Sequence, residues 1–185
     1  MVSMYSDVDL DDVVLSDKKI NNRGGNSVYI NLKQVRMPQI QLADEDVGLK
    51  ILFAPTINNT NEPHRRNMCL YANDDLVRFF TALDDMIIKE SDKSNWFAGD
   101  DHKHKPILQK MDNDDVYIRF KINANFIKVF SKIDDFRYSV ASIDDLKSGT
   151  RIIPVISVMP IWFFNSQYGT TFEITHALIL RDDAC

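Results

Sequence analysis

The sequence predicts a mainly β fold with one substantial helix, arranged as a small barrel or, alternatively, a β-sandwich. Three observations carry this. Several short segments alternate apolar and polar residues at period two, as half-buried strands do. One stretch alone repeats apolar residues at helical spacing over several turns. Strands do not alternate regularly with helices, which disfavours a doubly wound sheet.

The chain has 185 residues, 44% hydrophobic and 26% charged, which suits one domain with a real core. Its expected organisation is an acidic leader at 1–17 whose apolar residues can form a short strand, a single β-rich domain at 18–180 and a short polar tail at 181–185. The leader carries five aspartates and no Lys or Arg. Asn21-Asn22-Arg23-Gly24-Gly25-Asn26 reads as a turn. From Ser27 to Lys33, Val28, Ile30 and Leu32 alternate with Tyr29 and Asn31, a half-buried strand. Residues 34–42 form a second extended piece, which Pro38 places at an edge or bulge. Leu49 to Phe53 is a short strand. Residues 54–67 form a polar loop, and 68–72 are extended again.

Asn73 to Glu90 is the helix. Asn73 or Asp74 caps it, and Leu76, Phe79, Phe80, Leu83 and Ile87 share a core-facing stripe. Asp74, Asp75, Asp84 and Asp85 are expected on its solvated side. A polar loop bearing Trp96-Phe97 follows. Val116 to Ile122 alternates once more and, through the Asn123-Ala124-Asn125 turn, is expected to pair with 126–132 as a hairpin. Ile143 to Lys147 reads as one helical turn ended by Gly149. Residues 150–164 form a long β-rich run interrupted at Pro154 and Pro160, 167–169 a turn, and 170–180 the last strand.

No run approaches the roughly 18 apolar residues of a membrane span. The acidic N-terminus does not resemble a secretory signal, so an intracellular location without membrane association is expected. Cys69 and Cys185 suit reduced thiols rather than a disulfide framework. The net charge is −5, but two stretches lack acids altogether. Residues 18–41 contain Lys18, Lys19, Arg23, Lys33 and Arg36, and residues 116–132 contain Arg119, Lys121, Lys128 and Lys132. Such stretches allow a polyanion to bind locally on an acidic protein.

No phosphate-cradling glycine loop is present, and Gly24-Gly25 lacks the required spacing. The recurrent Asp-Asp pairs fall mostly in loops and at helix starts, where aspartate caps and solvates. His102 and His104 lack a matching second pair of metal ligands and read as a solvated loop. His176 reads as partly buried and Cys69 as a core thiol. No catalytic residue, metal ligand or cofactor is therefore expected. Aromatic and basic groups remain: Tyr117, Arg119 and Lys121 on one strand face, Lys128 on the next segment, and Tyr29 near Lys33 and Arg36. Cations that meet phosphates, beside rings that stack on bases, are how single strands are held.

The segment order is also familiar. A Ser27-Val-Tyr-Ile30 strand precedes Gln34-Val-Arg-Met-Pro38, then a helix containing Leu83-Asp-Asp85, a loop with Trp96-Phe97, and the Tyr117-Ile-Arg-Phe-Lys-Ile122 strand. Ile161-Trp-Phe-Phe164, Tyr168-Gly-Thr170 and a final strand complete it. Over roughly residues 26–180 this resembles single-stranded-DNA-binding proteins of large eukaryotic DNA viruses, a group similar to the replication proteins of short-tailed phages. The resemblance implies an OB-type barrel with insertions and sequence-independent binding of single strands. It further implies a role in viral replication, recombination or repair, at a replication site in the host cytoplasm or nucleus. Arg181-Asp-Asp-Ala-Cys185 lacks the long acidic run and terminal aromatic of the phage pattern.

The expected interface is therefore Tyr29, Lys33, Arg36, Trp96, Tyr117, Arg119, Lys121 and Lys128, with single-stranded DNA as partner. Replication proteins and further copies of the chain are secondary partners. Two other readings are a virion-associated or structural β protein, in which the aromatics make subunit contacts, and a metal-dependent nuclease using the Asp pairs. Trp162, inside an apolar run, is expected to be structural.

Overall fold

The computed structural model describes residues 1–181. Five strands form a closed ring: β1 (Leu49–Ile57), β2 (Arg65–Tyr71), β3 (Val116–Asn123), β4 (Arg151–Val158) and β5 (Phe172–Ile179). β1 pairs antiparallel with β2, and β2 with β3. β3 runs parallel to β5, with Lys121 opposite Glu173. β5 is antiparallel to β4, and β4 returns to β1 through Arg151 opposite Lys50 and Ile152 opposite Leu49. The closed order β1-β2-β3-β5-β4 is an OB-like barrel.

The period-two pattern builds this barrel. Met68 and Leu70 of β2 lie across from Phe120 and Ile118 of β3 and point inward, as do Ile51, Ile122, Ile156, Phe172 and Ile174, all at most 2% exposed. Removing each such side chain from water contributes roughly 1.5–3 kcal/mol. Helix α1 (Asp74–Lys93) lies between β2 and β3 in sequence. Asn73 caps it by accepting from the Leu76 amide at 2.9 Å, which satisfies one of the unpaired first-turn donors. Its buried stripe of Leu76, Phe80, Leu83 and Ile87 docks on the barrel, where the Phe80 ring lies 5.2 Å from that of Phe172.

A second sheet leans on the barrel, in the order Lys103–Lys105, Gln167–Gly169, Ile161–Phe164, Asn26–Val28, Lys19–Ile20. Three of its strands are the expected Trp-Phe-Phe segment, its partner, and the strand after the Asn-rich turn. A small third sheet joins Val13–Leu15, Ile30–Leu32 and Val35–Arg36.

Several expectations change. The 1–17 leader is woven into the fold: Val2–Met4 pairs with Gln39–Gln41, and Tyr5, Val8, Leu10, Val13 and Leu15 pack against the core. Its apolar residues alternate with the aspartates, so burying one set leaves the acids in water. The expected hairpin of 116–122 with 126–132 does not form. β5 lies between them, parallel both to β3 and to Lys128–Lys132. Both neighbours have inward apolar sets, so each gains more from a central strand than from the other. Pro154 does not interrupt β4. It sits within it, its carbonyl accepting from the Leu42 amide at 3.1 Å, and a register shift follows at Val155/Ile156. The turn expected at 167–169 is instead at Asn165-Ser166, both at positive φ, and Gln167–Gly169 is a strand. Beyond residue 181 the polar tail lies outside the described residues.

Candidate nucleic-acid interface

The outer face of β2 and β3 is set by register. Arg65, Asn67, Cys69 and Tyr71 stand across from Asn123, Lys121, Arg119 and Tyr117. Phe53 of β1, paired with Cys69, adds a ring that is 50% exposed and meets Tyr117 edge-on at 6.4 Å. A strand that buries Ile118, Phe120 and Ile122 must present Tyr117, Arg119 and Lys121 outward.

This face forms the floor of two adjoining clefts of about 280 and 460 Å³ that share Asn67 and Lys121. The wall of the first is the segment between β4 and β5, with Trp162 on the Ile161–Phe164 strand and Thr170 after it, together with Lys105 and Ile107. Trp162 is half-buried, and its ring lies against Gly169, where a Cβ would sit 3.0 Å from the indole. The second cleft is lined by Asn58, Asn59 and Arg66 from the β1–β2 side, with Arg23 and Met159 across from them.

Charge pairing separates these cations from the others. Arg65 is tied to Glu62, Arg78 to Asp75, Lys132 to Glu45 and Asp135, and Arg137 to Asp134. Among the described residues no ion pair engages Arg119, Lys121 or Lys105, and all three are exposed. Burial pushes the Cys69 thiol pKa up, and the neighbouring Arg119 guanidinium pulls it back. Glu173, beside Lys121, is raised by burial and lowered by that lysine.

The expected site residues divide. Tyr117, Arg119 and Lys121 share the face above. Tyr29 and Arg36 stand together elsewhere, the guanidinium 3.6 Å from the ring centroid, in a pocket with Lys19 and Arg23. Lys33 is at a hairpin tip, paired with Asp12 at 3.4 Å, and lines neither cleft. Lys128 is exposed on the strand beyond β5, opposite His176. Trp96, expected to stack on bases, is 4% exposed and meets Phe163 and Tyr168 edge-on, so its faces are closed to a ligand. The two tryptophans differ in exposure. Trp162, expected to be structural, opens onto the cleft. The missed signal was alternation: Ile161 and Phe163 occupy one face of their strand, which puts Trp162 on the other. Phe53, on the same sheet face, and Lys105, on the cleft wall, were not among the expected residues.

Asp84 and His104 were expected in solvent. Both are nearly buried and lie 3.2 Å apart, and Asp84 accepts from the Ile107 amide at 2.9 Å. Asp84 lies on the helical stripe defined by Phe80 and Ile87, so helical geometry turns it inward. Among the described residues no three of His, Cys, Asp and Glu gather where they could hold a metal ion. Among the described residues no helix is long and apolar enough to cross a membrane.

No protein-family model matches the chain, and no curated protein matches it. Among solved structures it is similar to the single-stranded DNA-binding protein from bacteriophage Enc34 in complex with ssDNA, at 12% identity and TM-score 0.49, over 93% of this chain and 97% of that one. It is also similar to gp2.5, a single-stranded DNA binding protein encoded by bacteriophage T7, at 10% identity and TM-score 0.48, over 80% and 93% of the two chains.

Proposed function

We propose that the chain binds single-stranded DNA without sequence preference, along the β2–β3 face, and performs no chemistry on it. One observation carries the reading: Arg119, Lys121 and Lys105, engaged in no ion pair among the described residues, line one cleft with Trp162, and Tyr117 and Phe53 stand on the same sheet face beside Arg119. Cations without internal partners neutralise phosphates, and ring faces stack on bases of any identity. The strands 2–3 face with its flanking loops is also where OB barrels take up oligonucleotides, an argument from fold alone. A duplex offers its phosphates but not its base faces, which favours a single strand. A role in viral replication, recombination or repair rests on the sequence resemblance.

The test is fluorescence anisotropy of a labelled oligo-dT, titrated at rising salt. Binding should weaken steeply, with a slope of about −0.7 per phosphate contact. No binding at ~50 mM salt, the low end of the range where such contacts are compared, overturns the proposal. Incubation with magnesium or manganese should leave the oligonucleotide intact.

A second reading, assembly into oligomers, is favoured by one observation. The edge strand Tyr138–Ala141 and its flank expose Phe136 at 91%, Val140 at 85% and Tyr138 at 48%. An apolar, unpaired strand edge is a template for a second chain. Sedimentation velocity across a concentration series tests it, with a monomer throughout excluding it.

A further inference from the structure

We infer that the single-strand track does not end at the barrel but continues across the second sheet onto the hairpin formed by residues 19–28. This inference rests on the groove reading above and extends it to a second set of residues.

The second sheet aligns one cross-strand row. Lys105 pairs with Gly169, Gly169 with Trp162, Trp162 with Ser27, and Ser27 with Lys19. Directly paired residues project from the same face of a sheet. The row therefore sets Lys105, the Trp162 ring and Lys19 on one side, with the small residues Gly169 and Ser27 leaving room around the indole. Four interstrand steps of about 4.8 Å make the row roughly 19 Å long. The opposite face carries His104, Tyr168, Phe163 and Val28 and belongs to the core.

The hairpin tip is built rather than loose. The Asn21 side chain accepts from the Arg23 and Gly25 amides at 2.9 and 3.1 Å and donates to Ser27 Oγ at 3.1 Å, while Gly24 supplies the left-handed φ of 79° that closes the turn. Arg23 is thereby held out from the turn. It lines the second cleft with Lys121 and also the pocket that holds Lys19, Tyr29 and Arg36. Arg23 is thus the joint between the barrel groove and a second cradle, in which Arg36 lies over the Tyr29 ring. Lys19, Arg23 and Arg36 are exposed, and no ion pair among the described residues engages them. The two acid-free basic stretches, distant in sequence, become one path of cations and rings.

The ligand class is a single-stranded polynucleotide longer than the barrel groove alone spans. The test compares wild type with the double variant Lys19→Ala/Arg36→Ala, whose two positions line the second cradle and neither barrel cleft, on oligo-dT of about 5 nucleotides, near the short end of the roughly 4–16 that one OB barrel holds, and about 20, beyond its long end. The turn is fixed by Asn21, so the variant should keep its fold, which circular dichroism checks. Wild type should bind the long oligonucleotide more tightly. The variant should lose about tenfold on the long one and nothing on the short one, and its salt slope on the long one should flatten by about 1.4, two contacts at 0.7 each. Equal loss on both lengths, or loss on neither, overturns the continuation and leaves the groove reading standing. Failure of wild type to bind either length at low salt overturns the groove reading itself.

Discussion

Lys121 on β3 and Glu173 on β5 face each other at the parallel pairing that helps to close the barrel. The pairing holds an acid beside a cation on the face that we propose binds phosphate. Burial raises the Glu173 pKa, and Lys121 pulls it back toward the usual carboxylate value. The carboxylate tempers the local positive charge, and a proton on it removes that effect.

The pH dependence follows from the direction of this shift. A carboxyl with a raised folded-state pKa gives up stability as pH climbs from the ordinary value of 4.5 through the raised one, because the unfolded chain ionises first. Glu173→Gln should therefore be more stable than wild type at pH 7, and the two should converge below about pH 4.5. Bound phosphate would raise the pKa further, so wild-type affinity should strengthen as pH falls toward that value. The variant should bind several-fold tighter at pH 7 and lack this component. Anisotropy from pH 5 to 8 at constant ionic strength reads it, the variant serving as control for the histidines. Indistinguishable curves would place Glu173 outside the site.

Arg119→Glu and Lys121→Glu should each weaken binding to single-stranded DNA by at least about tenfold at low salt and leave the melting temperature nearly unchanged. Both side chains are exposed and no ion pair among the described residues engages either, though Lys121→Glu also loses the attraction of Lys121 for Glu173 and should be the less stable of the two. The milder Lys121→Ala should reduce the salt slope by about 0.7. Unchanged affinity in a folded variant would remove β3 from the interface.

Trp162→Ala should give soluble, folded protein with weakened binding. Each base stack is worth roughly 1–3 kcal/mol, or about 5- to 150-fold in affinity. Gly169→Ala should act the same way indirectly, since its new methyl would meet the indole at 3.0 Å and the Lys105 carbonyl at 3.1 Å. An insoluble Trp162→Ala protein would return this residue to the structural role that its apolar run suggested.

The contrast between Trp96 and Trp162 shows where sequence pattern stops. Alternation told inward from outward on β3, and the helical stripe and its Asn73 cap were legible because both are local. Which strand pairs with which is not local. β5 enters between β3 and Lys128–Lys132 because burying both flanks outweighs a short hairpin, and no spacing in 116–132 encodes that. The same non-local pairing decides the tryptophans: Trp162 stays only half-buried with Gly169 beside it, and Trp96 is buried where Phe163 and Tyr168 meet it. The first basic stretch read correctly as acid-free, but its division was invisible. Lys33 turns to Asp12, whereas Arg36 turns to Tyr29.

Asp84 links helix to groove. Its Oδ2 accepts from the Ile107 amide, its Oδ1 lies against His104, and Ile107 and Lys105 line the cleft wall. Asp84→Ala would strand a buried amide donor, at a cost of about 1–3 kcal/mol. It would also release the 103–107 segment, so the Lys105 ammonium would be held less firmly beside Trp162. Stability and affinity should therefore fall together. Asp84→Asn keeps an acceptor for the Ile107 amide and should recover most of both. Urea unfolding and oligo-dT anisotropy on the same two variants measure this. If Asp84→Ala loses stability but binds as wild type does, the 103–107 segment carries no part of the site. If it unfolds at the wild-type urea concentration, the buried hydrogen bond contributes nothing to the fold.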